Sequence, residues 1–300
     1  MTSAPRTISS RDLPPLHESA SNASLRAQGE YTICVRISLG LLVIGTLPNA
    51  IHVEEPLLKS FFHWSIALCL LASVIVFLVV RVRNREKIWY AARALAESTK
   101  TMSWRYMMAS DPYGSRNANQ ADQDFLRDLH RLVSTEREVF GTLDAASSGA
   151  MQITSSMRQV RAIDVGARLN VYITSRIKEQ QGWYAEKAAI NQRHSNVFFW
   201  AIVVLQIVAV ASAFAQAANP ETPIYPGGLF AAMATSLIAW TQLRKYGELS
   251  KAYSLTAHEL AGVLSQSDGI VSEEQLSDFV GDSENAISRE HTLWIARRDS

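Results

Sequence analysis

The chain has 300 residues, 48% of them apolar, with 29 Lys+Arg against 28 Asp+Glu and a formal net charge of +1. That length allows one or two domains, and the near-zero charge gives no bulk basic character of the kind nucleic-acid binding needs. Apolar residues gather in four blocks separated by polar stretches, which excludes an evenly mixed globular sequence.

The first thirty residues, with Pro5, Pro14, Pro15 and many serines, lack an apolar run and a signal-peptide pattern. They predict a disordered cytosolic segment over 1–29. The first apolar block, ICVRISLGLLVIGTLPNAIHV, covers residues 33–53, and the second, HWSIALCLLASVIVFLVV, covers 63–80. At 1.5 Å rise per residue each is long enough for a hydrocarbon core of about 30 Å. Only HVEEPLLKSF joins them, so the two form a hairpin. Cys34 and Cys69 both lie in these blocks, where small buried hydrophobes are expected rather than a disulfide or metal ligands.

After the second block come Arg81, Arg83, Arg85 and Lys87, then an Ala-, Leu- and charge-rich stretch without a breaker. It predicts a helix leaving the membrane and ending at Asp111-Pro112-Tyr113-Gly114. A second cytosolic helix is predicted over 123–140 on a stripe of Phe125, Leu129, Leu132 and Val133. The Ser/Gly/Ala-rich section after it reads as a linker over 141–166. Leu169, Ile173, Ile177, Tyr184 and Ala188 then recur at helical spacing and lead into the third block, VFFWAIVVLQIVAVASAFAQ, at 197–216. The short loop NPETPIYP connects it to the fourth and weakest block, GGLFAAMATSLIAWTQL, at 227–243. A helix continues through Tyr246, Leu249, Tyr253 and Leu260, and a terminal amphipathic helix carries Leu276, Phe279, Val280, Ile287 and Trp294.

The fold class expected is therefore all-α: an integral membrane protein of two helical hairpins, four spans, with long juxtamembrane cytosolic helices. Basic residues flank the long segments and avoid the two short loops, so the positive-inside bias places both termini and the central segment in the cytoplasm. The plan repeats: a first two-span unit with its arm at 30–140, and a second at 167–300 with its C-terminal helix.

No P-loop, GxGxxG, HExxH or nucleophile elbow occurs, and the chain does not read as an enzyme. No cofactor or metal is implied. Glu284, Ser288, His291 and Ile295 sit a turn apart, but exposed ion pairing on a terminal helix accounts for them better than acid–base or metal chemistry. Within the spans the polar residues are Thr46, Asn49, Ser73, Gln206, Ser212, Thr235 and Ser236, candidates for pore lining or for interhelical hydrogen bonds. Gln206, mid-span among Val, Leu and Ile, is the most informative. No span carries a charge at its centre, which disfavours a proton-coupled or charged-substrate carrier; Arg36, near a span end, can snorkel. Small residues at i, i+4 (Ala209 with Ala213, Ala211 with Ala215, Ala232 with Ser236) suit close helix approach. Arg93, Arg105, Tyr106, Arg176 and Tyr184 on the juxtamembrane helices fit packing and pairing better than nucleotide contact.

Three segments carry a family likeness. AARALAESTKTMSWRYMMASDPYG (91–114) and RIKEQQGWYAEKAAIN (176–191) flank the hairpins, and VGDSENAISREHTLWIARR (280–298) closes the chain. They resemble the SLATT superfamily, two-transmembrane effector domains that accompany SMODS nucleotidyltransferases and SLOG sensors, and the order resembles a tandem form. The resemblance implies an oligomeric pore-forming effector of a prokaryotic anti-phage or conflict system at the inner membrane. A nucleotide signal, a sensor or a nucleotidyltransferase partner would trigger it. The alternative is a non-conducting membrane anchor or scaffold for cytosolic partners. The partners expected are the lipid bilayer and further copies of the chain, with no nucleic acid.

Overall fold

A computed structural model describes residues 7–51, 53–114 and 117–296. Among the described residues, 84% are helical and none lies in a strand. The order is a short 3₁₀ turn at Ser10–Asp12, then α1 (Pro15–Thr46), a 3₁₀ turn at Leu47–Ala50, α2 (Pro56–Arg83), α3 (Arg85–Met107) and α4 (Ala118–Thr135). A 3₁₀ turn at Arg137–Thr142 and the short α5 (Ala145–Gly149) follow, then α6 (Ser155–Ala162), α7 (Val165–Tyr172), a π turn at Ile173–Ile177 and α8 (Lys178–Ala218). The chain ends with α9 (Gly227–Arg244), α10 (Tyr246–Ser265) and α11 (Glu273–Ala296).

Two compact units are built from interleaved segments: one from Met1–Gln28, Glu86–Ala188 and Lys251–Ser300, the other from Gly29–Arg85 and Ala189–Ser250. Compactness thus cuts across the sequence halves. Each half contributes its hairpin to the second unit and its arms to the first.

In the hairpin unit the helices expose their apolar side chains. Phe61, Leu71, Phe77, Phe199, Val204, Ile207 and Phe214 are all more than half exposed. None of the most apolar 18-residue stretch in the continuous helix Val165–Ala218 is buried by protein. An apolar surface of that extent fits hydrocarbon, where a helix satisfies its own backbone polar groups. Among the described residues three helical runs, Pro15–Ala50, Pro56–Met107 and Val165–Ala218, are long and apolar enough to cross a membrane. The 18-residue α9 is not among them. The hairpins meet at their loops: Tyr225 N–H donates to Ala50 C=O at 2.7 Å, and Ile51 bridges Ile224. Glycine allows close approach where α9 begins, since a Cβ on Gly227 would stand 3.3 Å from Ala209 C=O on α8.

The other unit has a packed aromatic core. Tyr106, Tyr113 and Phe125 meet with centroids 5.1–6.4 Å apart, and Tyr172 lies edge-on to both Trp104 (5.6 Å) and Phe279 (6.1 Å). Such pairs each contribute about 0.5–1.5 kcal/mol beyond area burial. The stripe expected on the terminal helix is present, with Leu276, Phe279, Val280 and Ile287 buried. The side chain of Trp294 lies outside the described residues.

The disordered segment expected over 1–29 is corrected for residues 7–29. Leu16, Ala20, Ala23 and Ala27 recur at helical spacing and are all buried on α1, preceded by buried Ile8 and Leu13. Pro15 opens the helix at a position where its missing N–H costs nothing. A stripe made mostly of alanine is apolar enough to pack closely yet too weak in hydropathy to stand out. Residues 1–6 lie outside the described residues. The stretch read as a linker at 141–166 is also structured. Ile153, Met157 and Val160 are buried, and Thr154 and Asp164 cap α6 and α7 by accepting from the Met157 and Ala167 amides. The helix expected over 123–140 runs instead over Ala118–Thr135, opened by the Asn117 side chain accepting from Asn119 N–H.

One device occurs twice. A single left-handed residue, Asn84 (φ 48°) after α2 and Lys245 (φ 49°) after α9, interrupts the chain where each hairpin passes into the helix that follows it. The two sequence halves share it.

Candidate functional site

The polar residues of the spans meet different fates. Ser73 is buried, its hydroxyl 2.9 Å from that of Ser38, which joins α1 to α2. Nothing in the sequence marks Ser38, two residues after charged Arg36, as a partner. Thr46 and Thr235 turn their hydroxyls back onto their own helices, donating to Val43 C=O (2.7 Å) and Ala231 C=O (2.9 Å). Ser212 packs beside Gly227, with Ser236 half-buried and Asn49 exposed. Gln206 stands apart: it is exposed on α8 beside Val204, Ile207 and Val210, with no hydrogen-bond partner among the described residues. The structure therefore does not bring the predicted residues into one cluster.

The densest polar constellation lies in the other unit and centres on Arg176. The π turn Ile173–Ile177 adds a residue to the helical turn and so shifts which residues face inward. Arg168, Tyr172, Ser175, Arg176 and Ile177 are buried, while Leu169 and Ile173 of the expected apolar stripe are only half-buried. Arg176 is fully buried against Glu284 of α11, itself fully buried, with Nε–H to Oε1 at 2.9 Å and Nη2–H to Oε2 at 2.7 Å. Tyr172 O–H donates to Oε1 (3.0 Å) and Thr101 O–H to Oε2 (2.8 Å), so four donors surround one carboxylate. Nη1 of Arg176 has no partner among the described residues.

The electrostatics follow from burial. Desolvation pulls the Arg176 guanidinium downward, but the Glu284 charge and hydrogen bonds outweigh it and the net shift is upward. Burial, then Glu284, push the Tyr172 phenol well up, so it stays a donor. Lys100 is lowered by burial and then by Arg176. His17 is lowered by burial, and its Nδ1 lies 3.0 Å from Ala96 C=O, which fixes the neutral Nδ1–H tautomer. A network of this kind is not assembled for acid–base chemistry: its one carboxylate is saturated by donors. It is a tie between α3, the π turn ahead of α8, and α11.

Glu284 was expected to pair at the surface of a terminal helix; burial makes it an interior residue instead. The side chains of His291 and Ile295, grouped with it in the sequence, lie outside the described residues. Arg176, expected to pack and pair at the surface rather than contact a nucleotide, does pair, but in the interior. Arg105 donates to Asn285 Oδ1 (2.9 Å), Tyr106 O–H to Asp122, and Tyr184 is buried beside Trp183 and Tyr253. Two further arginines have no signal in the sequence: buried Arg168, paired with Glu273 and donating to Met108 C=O (2.8 Å), and half-buried Arg161, which holds Tyr106 C=O (2.6 Å) and Tyr113 C=O (2.8 Å).

No curated protein and no solved structure matches the chain. Two family matches cover most of it: residues 14–169 match SMODS and SLOG-associating 2TM effector domain 3, and residues 172–294 match domain 1. Their junction falls within α7, just ahead of the π turn that carries Arg176, so the ion pair with Glu284 lies inside the second domain and Thr101 reaches it from the first. The chain belongs to the SLATT family, as two SMODS- and SLOG-associating two-transmembrane effector domains in tandem.

Proposed function

We propose that the protein is an oligomeric, pore-forming membrane effector of a prokaryotic conflict or anti-phage system. It sits in the inner membrane with four spans and both termini in the cytoplasm, and a nucleotide signal or a partner sensor triggers it. The observation that carries this reading is Gln206. An amide with no partner, exposed at the middle of an apolar helix, is costly in hydrocarbon. A second copy of the chain or a water-filled path would relieve that cost. The helix that bears it follows directly on the π turn that holds Arg176.

A non-conducting anchor is the second reading, and a specific observation favours it: the hydroxyls of Thr46 and Thr235 are satisfied by their own helices and need no water. Planar-bilayer conductance and membrane potential after induced expression separate the two. The pore reading expects conductance and depolarisation, both reduced in Gln206→Leu. Absence of conductance and toxicity, or a Gln206→Leu variant indistinguishable from the parent, would leave the anchor.

A further inference from the structure

Two arginines in the hairpin unit share one indole. The guanidinium carbon of Arg36, on α1, lies 4.9 Å from the Trp240 ring centroid, and that of Arg244, on α9, lies 5.7 Å from the same ring. Arg244 also stands 5.7 Å from the Tyr246 ring. Trp240 and Tyr246 are both buried, and Tyr246 is backed by Phe198 (5.4 Å, stacked) and His194 (5.2 Å). The aromatic platform is therefore fixed before any ligand arrives.

The charges on it are unbalanced. No carboxylate pairs with Arg36 or Arg244 among the described residues, whereas Arg85 in the same unit is held by Glu30 at 2.8 Å. The Nε of Arg244 is buried and has no hydrogen-bond partner. Two like charges and an unpaired donor gathered on one aromatic ring call for an anion. A guanidinium over an aromatic ring keeps the planar N–H fork that grips a phosphate in bidentate fashion.

The surroundings say which anion. Arg36 lies within α1 near the start of its apolar block and Arg244 closes α9, both on the side of the hairpins away from the Ile51–Ile224 bridge. Ile33 and Ile37, on either side of Arg36 in the sequence, are about half exposed. A phosphate seated on the arginines would carry its acyl chains along that apolar surface, which a soluble phosphate cannot do. We propose that Arg36, Trp240 and Arg244 form a headgroup site for an anionic phospholipid in the leaflet at that end of the hairpins. The lipid phosphate bridges the first hairpin to the second.

The test uses the full chain in neutral detergent, titrated with phosphatidylglycerol or phosphatidylcholine and read by native mass spectrometry for retained lipid. The parent should retain phosphatidylglycerol selectively. Arg36→Gln and Arg244→Gln should each lower that preference by about fivefold, the equivalent of about 1 kcal/mol per basic residue at an anionic surface. Arg83→Gln, an exposed arginine off the platform, should lower it less. Equal losses in all three variants, unchanged selectivity in both platform variants, or displacement of the lipid by inorganic phosphate would overturn the proposal. Where a Gln variant fails to fold, Arg36→Lys and Arg244→Lys keep the charge without the planar fork and carry the same comparison. Preference lost in the folded Lys variants but kept in Arg83→Gln supports the site, and preference kept in both Lys variants sinks the stacked-guanidinium geometry.

Discussion

Replacing Glu284 by Gln changes one atom and disturbs four hydrogen bonds. The carboxylate accepts from Arg176 twice, from Tyr172 and from Thr101, at 2.7–3.0 Å. A Gln amide keeps one acceptor oxygen and turns an NH₂ group toward donors on the other side. Arg176 is fully buried and cannot shed its charge, because arginine stays protonated. Its guanidinium would be left in the interior without a counter-charge. Removing one partner of a buried ion pair costs about 3–5 kcal/mol. In a unit of this size each kcal/mol moves the midpoint by about 2–4 °C, so the expected fall is about 6–20 °C. Thermal unfolding of the purified protein in detergent, followed by helicity, is the assay, with proteolysis of the C-terminal helix as a second readout. The apolar pair Arg176→Met with Glu284→Leu should recover most of the loss, since desolvated charges are replaced rather than orphaned. A Glu284→Gln midpoint within about 2 °C of the parent, or a double variant no better than the single, would refute the reasoning.

Acidification provides a second check, through His17. Its folded pKa is depressed below 6.5, so the unfolded chain binds the proton more readily. Its contribution is complete above pH 6.5 and is eroded as pH falls below that value; His17→Gln should flatten the loss of stability between neutral and acidic buffers. Lys245→Gly removes a left-handed strain of about 1–2 kcal/mol and should raise the unfolding midpoint, whereas Lys245→Val should lower it. Ser73→Ala removes one interhelical hydrogen bond, worth about 0.6 kcal/mol in membranes, so helix pairing measured in micelles should weaken only slightly. Gln206→Leu should shift any self-association toward the monomer, read by cross-linking, while the secondary structure stays unchanged.

Much of this protein was legible from residue order alone. The apolar blocks reveal helices in lipid because hydrocarbon acts as a uniform solvent: a run of apolar residues long enough to span it needs no knowledge of neighbours. The segments 91–114, 176–191 and 280–298 carried the family in the same local way. The N-terminal part of α1 escaped because Leu16, Ala20, Ala23 and Ala27 bury by close fit rather than by hydropathy. Arg176 and Glu284 stand 108 residues apart, and neither looks interior by type. Around the π turn the buried face holds Arg168, Tyr172 and Arg176, while Leu169 and Ile173 are only half-buried. Likewise, nothing in the sequence pairs Arg36 with Trp240; the packing of one hairpin on the other puts a guanidinium over that ring. Sequence by itself determined the long apolar helices and the family. Tertiary structure decided which charges are buried together, because that depends on helix phase and on contacts between distant segments, which a linear pattern does not encode.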